Sequence, residues 1–231
     1  MAPKGFQGTT LLDYPGKIAS LIFYGGCNLA CPYCHNPGLV THPDQYPDLD
    51  LDHLLEDLHG RRSFIDGVVI SGGEPTLAAD LDQLLASVKG LGLAVKLDTN
   101  GLRPQRLREM IDHGMVDFVA LDLKTRPDRY DELHYLPVNC QDLQATIDLL
   151  REERVDYEIR STCVPGYVEL EDIHAMGEAI KGARTWVLQQ FVPGFSLSSR
   201  MREVAPHSDK MMQTLAAAAE MYVKDLELRG F

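Results

Sequence analysis

Short apolar runs alternate along the chain with longer stretches in which apolar residues recur every three or four positions, and the alternation repeats about six times. The runs at 18–24, 67–71, 94–98, 117–124, 157–164 and 185–192 read as strands. The stretches at 51–62, 77–89, 104–112, 141–152 and 169–180 have the spacing of amphipathic helices, with Gly90, Gly92 and Gly114 as stops. Strand, helix, strand at this interval predicts parallel pairing through right-handed crossovers. Six units are fewer than the eight that close a barrel, which leaves an α/β fold built as an open, partial (βα)6 barrel or as a doubly wound sheet. Both place their sites at the carboxyl ends of the strands. Residues 208–229 carry a capped, amphipathic pattern and are expected to form a helix over the barrel edge.

Polarity along the strands points to the same edge. Alternate residues of a strand face opposite ways, so Lys96, Asp98 and Asn100 share a face, as do Ala120, Asp122 and Lys124, and Glu158, Arg160 and Thr162. An unpaired buried ion costs several kcal/mol, so such a pattern is tolerated where charges pair with one another or meet a polar ligand. Helix capping by Asp98 and Asp122, with the lysines reaching solvent, is the plainer reading of each residue alone. Recurrence on three strands favours a site.

Composition sets the surroundings. A chain of 231 residues with 45% hydrophobic content is long enough to bury one sizeable core, and residues 1–231 are expected to form a single domain. With 22 lysines and arginines against 34 acids, the formal net charge is −12, which argues against nucleic acid or anionic lipid as partners. A small molecule or a protein suits it better. The opening MAPKGFQGTT has no apolar run of signal-peptide length, and no run elsewhere approaches a membrane span, so a cytoplasmic protein is expected. Five cysteines, three of them crowded together, suit ligation or catalysis in a reducing compartment better than a disulfide framework.

The crowded three are Cys27, Cys31 and Cys34, within the loop 25–38, GGCNLACPYCHNPG, just after the first expected strand. Neither helix nor strand brings those offsets together, but a loop with Gly25, Gly26, Pro32, Pro37 and Gly38 can curl so that the sulfurs converge. Soft thiolates select zinc or iron and sulfur. A structural zinc wants a fourth ligand; His35 is poorly placed to share the metal of Cys34, and His42 is distant. Three cysteines leave one metal position open, which in an iron–sulfur cluster is an iron free to bind another molecule. Cys140 and Cys163 read as small buried hydrophobes, and Trp186 as core.

CNLACPYC, three residues and then two between cysteines with an aromatic before the last, resembles the signature of the radical S-adenosylmethionine (SAM) enzymes. The resemblance implies a 4Fe-4S cluster held by Cys27, Cys31 and Cys34, whose open iron chelates the methionyl end of SAM. SGGEP at 71–75 is similar to that family's Gly-Gly-Glu motif, which gives Gly72, Gly73 and Glu74 to the methionyl end. DTNG at 98–101 and LDLK at 121–124 resemble strand ends of the activases of glycyl-radical enzymes. By that resemblance Tyr33, Asp98, Asn100, Asp122, Lys124, Arg160 and Gln190 contribute to the SAM site, and Asp98 and Asp122 help to hold a monovalent cation. No catalytic residue is implied beyond the cluster and cofactor. The resemblance further implies that an external flavodoxin or ferredoxin supplies an electron, that SAM is cleaved to methionine and a 5′-deoxyadenosyl radical, and that the radical takes a hydrogen from a glycine of the partner enzyme.

Within that group, GFQGTTLLDYPGK, CPYCHNP and QQFVPG look most like the longer class of anaerobic ribonucleoside-triphosphate reductase activating proteins. Pyruvate formate-lyase activating enzymes are near neighbours; where they carry a Pro-Phe-His loop after the last strand, this chain has Pro193, Gly194 and Phe195. Two other readings compete. A small-molecule radical SAM enzyme such as a 7-carboxy-7-deazaguanine synthase would show a closed pterin cavity, and a zinc module or electron carrier would leave SAM unbound.

Overall fold

The computed structural model describes residues 2–134 and 138–230. In chain order the elements are β1 (Pro3–Thr10), β2 (Ala19–Tyr24), α1 (Pro37–Thr41), α2 (Leu51–Arg61), β3 (Gly67–Gly72), α3 (Leu81–Gly90), β4 (Ala94–Thr99) and α4 (Pro104–Asp112). They continue with β5 (Phe118–Asp122), α5 (Cys140–Arg151), β6 (Asp156–Cys163), α6 (Leu170–Ile180), β7 (Thr185–Gln190), α7 (Ser199–Arg202), α8 (Asp209–Ala219) and β8 (Asp225–Arg229). One sheet runs through all eight strands in sequential order, with β1 antiparallel to β2 and every later pair parallel. Sequential order decides between the two architectures left open by the sequence. A doubly wound sheet reverses its strand order at a switch point, whereas crossovers that always advance one strand wind as in a barrel. With β1 and β8 at opposite ends of that order, the sheet stays open.

The six expected strands are β2 to β7, and the two additions lie at the edges. PKGFQGTT in β1 lacks an apolar run, and only its two ends are buried, so no hydrophobic signal marks it. The expected helix over 208–229 ends at Ala219, and the chain returns as β8 beside β7. Ser208 does cap α8, its side chain accepting from Met211 N. In DLELR the apolar residues alternate strictly, a period of two that the helical reading of 208–229 overlooked. Among the described residues no helix is long and apolar enough to cross a membrane.

Alternation divides the sheet into two faces. Ile22, Ile70, Leu97, Leu121, Ile159 and Leu188 point to the helices and share one large core with them. The opposite face carries a small apolar cluster of Tyr14, Ala19, Leu21 and Val69 on the first strands, and then turns polar from Lys96 onwards. Burial of each large aliphatic side chain in the main core contributes about 1.5–3 kcal/mol, which fixes the register and so decides which residues reach the polar face.

One buried polar junction ties β6 and β7 to the residue that follows β5. The Trp186 indole N–H donates to Ser161 Oγ at 3.0 Å, and the Ser161 hydroxyl donates to the Leu123 carbonyl at 2.7 Å. Ser161→Ala strands both partners in the dry core. It is expected to lower stability by about 1–3 kcal/mol, read from the urea unfolding midpoint; an unchanged midpoint would show that the junction contributes nothing.

Candidate active site

A cavity of about 340 Å3 opens at the carboxyl ends of the parallel strands. Its wall is built from the 25–38 loop on one side and from the ends of β3 to β7 on the other. Cys27, Cys31 and Cys34 all line it, with Tyr33, Gly72, Gly73, Asp98, Asn100, Asp122, Lys124, Arg160 and Gln190. Every site residue expected from the sequence reaches this cavity except Glu74. Ser71, Asn36, Thr162 and Gln189 line it as well; their position at strand ends or beside the cysteines was the available signal.

Backbone bonds hold the cysteine loop independently of any ligand. Gly26 N donates to Leu39 O at 2.7 Å, Gly26 O accepts from Glu74 N at 2.8 Å, Ala30 N donates to Leu133 O and Ser198 N to Pro32 O. Here the glycines of SGGEP acquire a reason different from close approach to a ligand. A Cβ on Gly73 would stand 1.8 Å from Gly26 O, and one on Gly72, whose φ is +115°, would stand 2.3 Å from Tyr24 O. The two loops interlock backbone to backbone, and only glycine permits it.

Glu74 lies beneath this interlock, almost fully buried, and does not reach the cavity. Its carboxylate accepts from Thr76 N at 3.1 Å, the Thr76 hydroxyl at 2.5 Å, the Thr99 hydroxyl at 2.8 Å and Asn100 N at 2.7 Å. Burial raises its pKa in spite of these bonds. The Glu74 side chain therefore positions the ends of β3 and β4. Asn100, fixed by it, donates through Nδ2 to Asn28 Oδ1 at 2.7 Å, which bridges β4 to the cysteine loop.

All three thiols are free. Burial pushes Cys27 up to about 12, with the nearby Glu74 charge adding to it, and Cys31 up to about 11; Cys34 is raised for the same first reason. Lys124 alone among the cations draws all three downward. Neutral thiols in such a corner become metal ligands by releasing protons, and the metal's positive charge offsets the burial. Among the described residues no three Cys, His, Asp or Glu side chains are gathered around a single ion position. The two remaining cysteines stand apart: Cys163 is buried on β6 with its thiol raised to about 12, and Cys140 donates to the Pro127 carbonyl.

Opposite the cysteines the wall is charged. Arg160 donates through Nε and Nη2 to Asp122 Oδ1 at 3.0 and 2.9 Å, and its Nη2 lies 3.2 Å from Asp98 Oδ2. Lys124 Nζ is 3.3 Å from the other Asp122 oxygen, and Lys96 Nζ is 2.5 Å from Asp98 Oδ1. Burial opposes the Asp122 charge, but Arg160 and then Lys124 outweigh it and take the carboxyl down to about 2. Arg160 and Lys124 are held protonated in turn, chiefly by Asp122 against the cost of burial. Asp98 and Asp122 thus already share three side-chain cations, and this arrangement does not fit the added monovalent cation expected between them. Arg160 and Lys124, fixed at the cavity wall by those carboxylates, suit a carboxylate-bearing ligand instead.

Two further residues complete the wall. The Tyr33 hydroxyl donates to Lys124 O at 2.8 Å and its ring packs against Tyr167. Gln190 donates to His207 O at 2.9 Å and accepts from Phe191 N, so the segment before α8 holds its amide. At the rim Val192 and Phe195 are exposed, and the Phe195 ring lies 5.1 Å from that of His35.

Comparison with known proteins places this geometry in context. The sequence profile described as "Radical SAM superfamily" matches residues 21–179. A putative glycyl-radical enzyme activating enzyme of Methanocaldococcus jannaschii is 31% identical over 235 residues, covering 98% of this chain and 95% of that protein. The pyruvate formate-lyase 1-activating enzyme of Escherichia coli K12 is 31% identical over 185 residues, covering 75% and 72% of the two chains. In fold the chain is similar to SuiB of Streptococcus suis, with a TM-score of 0.66 at 17% identity, covering 91% of this chain and 49% of that one. The chain thus spans about half the length of SuiB.

The charged wall yields a prediction about acid. An unfolded aspartate titrates near 3.9, above the folded value of about 2 for Asp122. The carboxylate therefore contributes stability that is present above the unfolded value and lost as pH falls through the folded one. Asp122→Asn is expected to unfold at lower urea than the parent at pH 7, and the gap should shrink below about pH 4. A gap of constant size down to acid pH would exclude the carboxylate charge as its cause.

Proposed function

The chain belongs to the radical SAM superfamily, and from that premise we propose that it is a glycyl-radical enzyme activase whose partner is an anaerobic ribonucleoside-triphosphate reductase. The family uses a 4Fe-4S cluster and SAM. Its homologues named as activating enzymes of glycyl-radical enzymes support the general activity. For the finer reading the support is in the sequence: the opening GFQGTTLLDYPGK, the QQFVPG stretch, and Pro193, Gly194 and Phe195 where pyruvate formate-lyase activases carry Pro-Phe-His.

The observation that carries the reading is the two-sided cavity, with three thiols on one wall and carboxylate-pairing cations on the other. Cys27, Cys31 and Cys34 would hold the cluster as thiolates, and the donor set fits it: soft sulfur, partly buried, with one position left open. When bound, cluster and SAM supply a reductive cleavage whose radical product takes a hydrogen atom from a backbone glycine. This chain's own residues bind and orient. Gly72 and Gly73 present backbone at the methionyl end beside the cluster loop, while Arg160 and Lys124 face the carboxylate and Asp98 and Asp122 aim them. Asn100, Tyr33 and Gln190 close the sides. The partner's glycine segment would enter past His35, Val192 and Phe195, and a flavodoxin or ferredoxin would donate the electron.

Anaerobic reconstitution with iron and sulfide tests this directly. The parent is expected to take up about four irons per chain and to release 5′-deoxyadenosine on reduction, and single Cys→Ala changes at 27, 31 or 34 to abolish both. Asp98→Asn should keep the iron and slow the cleavage by about tenfold. Bound zinc, or a reduced-cluster signal that SAM leaves unshifted, would overturn the reading. Incubation with anaerobic ribonucleotide reductase or with pyruvate formate-lyase, followed by glycyl-radical resonance, decides the partner; a signal on the lyase alone would refute the reductase.

A further inference from the structure

Two buried charges and one partly exposed one stand behind the cavity wall. Lys96 is wholly buried, Glu158 is 2% exposed, and Arg229 reaches inward from β8. Ions so placed are a net cost unless they are paired, and apolar side chains of similar volume are often better tolerated. Their arrangement is continuous. Arg229 grips Glu158 with two bonds, at 3.2 and 2.7 Å, Glu158 Oε1 lies 3.9 Å from Lys96 Nζ, and Lys96 meets Asp98 at 2.5 Å. Asp98 then meets Arg160 at the cavity wall. Signs alternate at each step from the C-terminal strand to the cavity.

We propose that Lys96, Glu158 and Arg229 are positioning residues for SAM: a buried arm that fixes Asp98, and through it Arg160, so that β8 is part of the cofactor site. The proposal rests on the reading that this cavity binds SAM. Asp98 is held from both sides, with Lys96 on one oxygen and Arg160 on the other. Loss of Arg229 leaves the Glu158 carboxylate without its two-bond partner, and the nearest remaining cation is Lys96. A lysine drawn toward Glu158 releases Asp98, and a released Asp98 pulls Arg160 off the ligand face toward itself. The effect falls on ligand binding, since none of the three lines the cavity.

Full-length, iron-reconstituted protein provides the test, with SAM binding measured by equilibrium dialysis beside KM and kcat for cleavage. Arg229→Gln is expected to raise Kd and KM for SAM about tenfold while kcat stays within about twofold and the iron count is unchanged. Arg229→Lys should restore most of the affinity, since it returns the charge. Glu227→Gln, which removes only the outer partner of Arg229, should leave Kd as in the parent. Should Arg229→Gln fold poorly, the neutral pair Lys96→Met with Glu158→Gln is expected to show the same rise. Parent-like SAM affinity in Arg229→Gln, or in the neutral pair, would overturn the arm, as would equal loss in all the variants. A parent that binds no SAM would refute the reading of the cavity and the arm with it, whereas parent-like affinity in the variants refutes the arm alone.

Discussion

Arg160 stands between two carboxylates, and the polar half of the sheet is organised around that arrangement. A guanidinium on the interior face of a parallel sheet cannot be left unpaired, because burial of a lone charge costs several kcal/mol. Asp98 comes from β4 and Asp122 from β5, so the pairing of those strands with β6 is what brings the three together. Each carboxylate is then pulled from a second side, by Lys96 and Lys124 respectively. The result is a rigid wall whose cations are aimed before any ligand arrives, which lowers the cost of ordering them on binding.

The facing wall is ordered by backbone instead of charge. Gly26 and Gly73 meet at a distance that excludes any side chain, and Glu74 ties the same corner to Asn100 and thence to Asn28 beside Cys27. These contacts join β2, β3 and β4 to the cysteine loop, so the loop keeps its shape with its thiols protonated. That separation of roles matters for a redox centre: the scaffold does not depend on the metal it would carry, and assembly costs only the protons that the thiols give up.

Much of this was legible in the chain. The six-fold alternation reveals β2 to β7, because short apolar runs separated by helical periodicity leave a strong signal. The polar faces of β4, β5 and β6 show where the cavity lies, and strand-end position and motif point to seven of its charged and polar wall residues, Tyr33, Asp98, Asn100, Asp122, Lys124, Arg160 and Gln190. What escaped had weaker physical marks. β1 is too polar to show periodicity, and β8 was read through the helix propensity of the alanines before it. The burial of the Glu74 side chain leaves no mark of its own: the sequence shows that a carboxylate follows two glycines but not that four donors wait for it in the interior. The choice between an open barrel and a doubly wound sheet likewise depended on strand order, which tertiary packing decides.

Charge on two length scales favours the same ligand. The chain as a whole is strongly acidic, at −12, whereas the charges around the cavity are matched: Lys96, Lys124, Arg160 and the partly exposed Arg229 stand among Asp98, Asp122, Glu158 and the buried Glu74. SAM carries a sulfonium and an ammonium against one carboxylate, so the outer field would draw it as a cation while, on the reading proposed above, the inner wall would orient it by its anionic end. Screening over about 8 Å at physiological salt limits the first effect to encounter. The second acts in a half-buried site where solvent weakens it little, and it is directional. An acidic surface around a pocket whose cations are fixed in place by their carboxylate partners therefore separates recruitment from alignment.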